Sequence, residues 1–125
     1  VTTDASHRFS ISWPVMCKLA TLMGVDTIQT GMVGGYSNDD PDEISQCLEI
    51  LKAGNTVPVL SCGFHPGLVE KVNSIAGIDY MANVGGAIHG HPGGTIAGAK
   101  AMRQAIDKKH AMEYEQAIAK WGFIK

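Results

Sequence analysis

The chain has 125 residues, 45% apolar and 18% charged, with a formal net charge of −2, the proportions of one folded domain or of one piece of a larger one. Acids and bases are mixed along the chain without a basic cluster, which excludes a nucleic-acid or membrane-surface footprint. The apolar runs are broken by Asp26, Asp79 or glycines before they could span a bilayer, Cys17, Cys47 and Cys62 lack zinc-site spacing and read as free thiols, and no signal-peptide pattern opens the sequence, so a cytoplasmic protein is expected.

Residues 1–10 are polar and irregular. Val15, Met16, Leu19, Leu22 and Met23 then recur at helical spacing. With Ser12 as a cap and Pro14 in the first turn, they predict a helix from Trp13 to Met23 that Gly24 ends. "VDTIQT" (25–30) reads as a short strand and "GMVGGYSNDD" as a flexible loop. A second helix follows, with Asp40 as cap, Pro41 in the first position and Glu43 completing a capping box. Its apolar stripe is Ile44, Cys47, Leu48 and Leu51, and Gly54 closes it. "VPVLS" (57–61) is the next strand, ending in Cys62-Gly63. A third helix starts near Pro66, buries Leu68, Val69, Val72 and Ile75, and stops at Gly77. "IDYMANV" (78–84) is the third strand, followed by Gly85-Gly86. Two helices complete the chain, 94–108 burying Ile96, Ala99, Met102 and Ile106, and 111–121 burying Tyr114, Ala117, Ile118 and Trp121.

Strands alternating with helices at this spacing imply an α/β fold with parallel strands joined by right-handed crossovers. Each strand runs into a glycine turn: "TIQTG", "VLSCG" and "MANVGG". Ligands of parallel α/β proteins sit at the carboxyl ends of strands, so the three turns should gather at one mouth. Glycine lets backbone N–H groups approach an oxyanion, which makes Gly63, Gly85 and Gly86 candidates to hold a phosphate. The same glycines could equally serve turn geometry alone.

Other constellations are weaker. The chain has neither GxGxxG opening a helix nor GxxxxGK[ST]. A metal on His89 and His91 would need further ligands, with His65 the one other histidine expected near that mouth, and structural roles are favoured for both. Ser61 could bond a substrate hydroxyl or simply form the turn. Cys62 has no readable base to activate it. Tyr36 could cover a ligand or be an exposed loop aromatic. His7 and Arg8 read as solvated surface.

Three blocks, "SISWPVMCKLATLMGVDTIQTGMVGG", "VPVLSCGFHPGLV" and "NVGGAIHGHPGGTIAGAKAMRQAI", resemble the C-terminal part of the catalytic barrel of the ribulose-bisphosphate carboxylase (RuBisCO) large subunit, in order and in spacing over nearly the whole chain. The resemblance implies that residues 1–125 are the C-terminal segment of a (β/α)8 (TIM) barrel, carrying strands six to eight and their helices. It places the family's substrate phosphate on Gly63, Gly85 and Gly86, its hydroxyl-binding serine on Ser61, and its lid on the 31–38 loop. Two positions depart from the carboxylase pattern. The lid lysine that stabilises the carboxylated transition state is replaced by Tyr36, and the histidine that contacts a second phosphate is replaced by Gln29.

These departures make the chain more similar to RuBisCO-like (form IV) proteins than to true carboxylases. Such proteins perform magnesium-dependent enolase or isomerase chemistry on a phosphorylated sugar-like substrate, as in methionine salvage. The resemblance also implies that the magnesium ligands lie in strands outside this sequence. Partners are then a phosphorylated small molecule, the rest of the barrel and a second subunit as in a dimer. His7-Arg8 does not match the family's His-Arg pair by spacing. Three strands cannot close an eight-stranded barrel, so no catalysis is expected of this chain alone. The alternatives are a divergent carboxylase and a non-catalytic phosphate-binding or assembly module.

Overall fold

A computed structural model describes residues 9–36 and 39–124. His7, Arg8 and the end of the 31–38 loop lie outside them. The elements follow in the order α1 (Trp13–Leu22), β1 (Thr27–Gly31), α2 (Pro41–Ala53), β2 (Val57–Leu60), a 3-10 turn (Pro66–Leu68) leading into α3 (Val69–Ala76), β3 (Met81–Ala82), α4 (Gly85–His89), α5 (Gly94–Ile106) and α6 (Met112–Trp121). The strands form one parallel sheet in the order β1-β2-β3. Gln29 pairs with Val59, and Val59 with Met81. The register slips between Gln29 and Gly31, a bulge that leaves Thr30 wholly buried with its hydroxyl oxygen unpartnered.

The main core gathers Met32, Leu60, Phe64, Leu68, Val69, Val72 and Met102. A smaller one, Cys17, Cys47 and Leu51, lies between α1 and α2. Burial of these side chains is the dominant favourable contribution to the fold.

Several local expectations hold and several need correction. Asp40 caps α2 as read: its Oδ1 accepts the Asp42 N–H at 2.9 Å. The capping box does not form, because Glu43 instead accepts the backbone N–H of Trp13 at 3.1 Å and so joins α2 to the start of α1. Ser12 occupies the cap position of α1 without a side-chain hydrogen bond. The third strand is only Met81–Ala82, and a short helix at Gly85–His89, unforeseen, follows it.

The loop read as flexible begins in the core, with Met32 fully buried and Val33 nearly so. Ile75, Ile96, Ala99 and Ile106 are exposed rather than buried. The helix α5 turns inward a face of small residues instead, with Gly98 and Ala101 beside Met102. A side chain at Gly98 would strike the Ile88 backbone, so α4 and α5 touch along that face.

Candidate functional site

Successive backbone bonds bring the carboxyl ends of the strands together. Ser61 N–H donates to the Gly31 carbonyl at 3.4 Å, and Asn83 N–H to the Leu60 carbonyl at 2.9 Å. A cleft of about 670 Å³ opens there. It is lined by Gln29, Ser61, Gly63, Asn83, Gly85 and Gly86, by Tyr36 with Gly34 and Gly35, and by His65, Trp121 and Ile124. All six residues singled out from sequence, Gln29, Tyr36, Ser61, Gly63, Gly85 and Gly86, therefore line one cavity.

The glycines are there for different physical reasons. Gly63 has φ +104, and a Cβ on it would come within 2.7 Å of the Tyr36 ring. Its conformation and its close approach to Tyr36 both exclude a side chain. Tyr36 is fastened to the same turn by its N–H, which donates to the Cys62 carbonyl at 3.1 Å. Cys62 itself sits at φ +72, an uncommon conformation for a residue with a Cβ.

Gly85 and Gly86 have no such constraint. Neither has a positive φ, and a Cβ on either would meet nothing within 4 Å. Turn geometry does not account for them. They open the first turn of α4, where backbone N–H groups have no intrahelical acceptor.

None of the described residues lining the cleft is an aspartate, glutamate, lysine or arginine. Ser61 is buried, with its Oγ 3.6 Å from Cys62 Sγ. His65 is also buried, stacks on Trp121 at a centroid distance of 6.0 Å, and has no partner for Nδ1. Burial pushes its pKa below the ordinary histidine value, so it favours the neutral form. The arrangement can hold an oxyanion on backbone amides and orient a hydroxyl. It offers no charged group to move a proton.

His91 is held on both ring nitrogens: Nδ1 accepts the Gly93 N–H at 3.0 Å and Nε2 bonds the Glu113 carbonyl at 2.9 Å. His89 is exposed, with Nδ1 3.3 Å from the Thr95 hydroxyl. Among the described residues no three His, Cys, Asp or Glu side chains gather to hold a metal ion, so these residues do not fit a magnesium site.

Sequence reasoning missed the wall made by Trp121 and Ile124. Gly122, at φ +84, ends α6 and turns the chain back, and Ile124 N–H then donates to the Gly67 carbonyl at 3.1 Å. That contact spans more than fifty residues and leaves no local signal.

Comparison with known proteins gives a consistent picture. Residues 48–122 match the family described as "Ribulose bisphosphate carboxylase large chain, catalytic domain". A ribulose bisphosphate carboxylase of Pyrococcus furiosus is 34% identical over 94% of this chain and 32% of its own length. A 2,3-diketo-5-methylthiopentyl-1-phosphate enolase of Geobacillus kaustophilus is 43% identical over 54% of this chain and 19% of its own. The crystal structure of a rubisco-like protein from Alicyclobacillus acidocaldarius superposes with a TM-score of 0.83 at 28% identity, over 95% of this chain and 34% of that one. The chain thus spans about a third of the length of the curated carboxylases it matches, and its parallel α/β fold corresponds to a part of a Rubisco-type barrel.

Proposed function

Because the chain belongs to the ribulose bisphosphate carboxylase large-chain family, we propose that it supplies strands six to eight of the barrel of a RuBisCO-like protein, and with them the grip on one phosphate of a sugar-like substrate that undergoes enolisation or isomerisation. The observation that carries this reading is the cleft itself, where Ser61, Gly63, Gly85 and Gly86 share one cavity with Gln29 and Tyr36. Gly85 and Gly86 leave open space that no neighbour in the chain fills. Amides in that position suit a phosphate, and Ser61 suits a substrate hydroxyl. Magnesium belongs, in this reading, to ligands outside the sequence, and a second subunit completes the site.

Tyr36 separates this chemistry from carboxylation. Its phenol supplies no fixed positive charge where a carboxylated transition state would need one, and losing one such electrostatic group costs about 10²–10³ in rate. Gln29 likewise provides no charge for a second phosphate. Similarity to the Geobacillus enolase supports the same choice. A divergent carboxylase is the second reading, favoured by the greater share of this chain that the Pyrococcus carboxylase covers.

The test is made on the full-length protein. Exchange of a substrate carbon-bound proton with solvent, without fixation of labelled CO2 onto ribulose bisphosphate, is the expected result. Fixation at a rate comparable to exchange would establish the second reading. In the same preparation Gly85→Val should weaken phosphorylated-ligand binding at least tenfold. Unchanged affinity would remove the cradle.

A further inference from the structure

Away from the cleft, α1 and α2 run side by side in matched register. Trp13, Cys17 and Thr21 lie at intervals of four on α1, and Glu43, Cys47 and Leu51 do the same on α2. In a helix such residues share one face. The pair is pinned at both ends. At one end the Trp13 N–H donates to Glu43 Oε1 at 3.1 Å. At the other, a Cβ on Gly54 would overlap the Thr21 side chain, so the helices converge as far as glycine permits. Thr21 is oriented there by a 2.9 Å bond from its hydroxyl to the Cys17 carbonyl.

Between these pins Cys17 and Cys47 meet in one buried cluster with Leu51, each at 0% exposure. Both are free thiols, thirty positions apart in the chain. We propose that Cys17 and Cys47 are a redox-responsive dithiol that closes to a disulfide in the presence of a small-molecule disulfide oxidant, clasping α1 to α2. The two thiols already share one buried cluster between the pinned helices, the proximity that a disulfide requires. The bond would enclose residues 18–46, which include β1, Gln29 and Tyr36.

The exchange balances in two steps. Cys17 loses its proton and its thiolate attacks one sulfur of the oxidant RSSR, forming a mixed disulfide and expelling RS⁻, which takes up a proton. Cys47 then loses its proton and attacks the Cys17 sulfur, releasing the second RSH. Two electrons pass from the protein to the oxidant, and two thiols of the oxidant are produced. The contact between the two thiols is what places the second to attack the mixed disulfide formed on the first. Because neither sulfur is exposed, the rate follows the opening of the α1–α2 seam.

The experiment treats the full-length protein with oxidised glutathione, alkylates remaining thiols under denaturing conditions, and maps peptides without reduction. The expected product is a peptide pair cross-linked through Cys17 and Cys47, lost on addition of dithiothreitol. Cys47→Ser should leave Cys17 as a glutathione adduct or an alkylated thiol, with no cross-link. Alkylation of both cysteines in the oxidised wild-type protein, or a cross-link made through Cys62 instead, would overturn the proposal. The wild-type map decides this even if the variant does not fold.

Discussion

Among the side chains around the cleft, folding changes the acid–base chemistry of His65. Its ring is buried against Trp121, its Nδ1 lacks a partner, and desolvation lowers its pKa from the ordinary 6.5. The unfolded chain therefore takes up this proton at a higher pH than the folded one does. Between the two values the unfolded state binds more protons, so stability rises with pH and is lost on acidification. Above the ordinary value both states are neutral and the residue contributes no pH dependence. His65→Phe preserves an aromatic ring against Trp121 and removes the titration. Thermal melts from about pH 7 down to about pH 5 should show a flatter decline in the variant than in the wild type. Parallel curves would mean that the buried imidazole does not govern the acid limb.

At the scale of elements, α2 tests what a local signal is worth. Asp40 satisfies one orphan N–H at the helix start, and Asp42 and Glu43 in the first turn and Lys52 in the last complement the helix dipole. Asp40→Ala should cost about 1 kcal/mol. Urea unfolding would register this as a lower midpoint with an unchanged slope. A shift within error would show that solvent replaces the cap.

Asp40, Pro41 and the stripe of α2 were legible because cap and helix are neighbours in sequence. Glu43 was not, since its partner Trp13 is thirty residues away and no local pattern distinguishes the two acceptor roles. The helix α5 was misread for a related reason. Ile96, Ala99, Met102 and Ile106 have a helical period, but so do Gly98 and Ala101 with Met102; Met102 is buried as read, and tertiary packing otherwise chose the smaller side chains. Periodicity identifies a helix without saying which of two apolar faces a neighbour can approach. The cleft was legible at its strand ends, where chain order alone brings Ser61, Gly63, Gly85 and Gly86 together. Its Trp121–Ile124 wall depends on a return of the chain that only the folded backbone reveals.

The whole molecule raises the question of what covers the sheet. Parallel sheets occur almost always with both faces covered and few free edges, since an open edge presents unpaired N–H and C=O groups. Here β1 and β3 are the outer strands of a three-stranded sheet, and large apolar side chains lie near the β3 side, with Ile78 83% and Met81 51% exposed. Ile96 on α5 is 77% exposed as well. Apolar surface left in water forfeits roughly 25 cal/mol per Å² of burial, and exposed apolar groups that adjoin one another mark contact sites or drive association. If the remaining strands of a barrel normally cover these groups, the 125-residue chain produced alone should self-associate and bind a hydrophobic fluorescent dye. Co-production with the rest of the barrel should suppress both, which size-exclusion chromatography and dye emission would report. A monodisperse monomer without dye binding would show that the three-stranded unit is complete in itself, and would count against placing it inside a larger barrel.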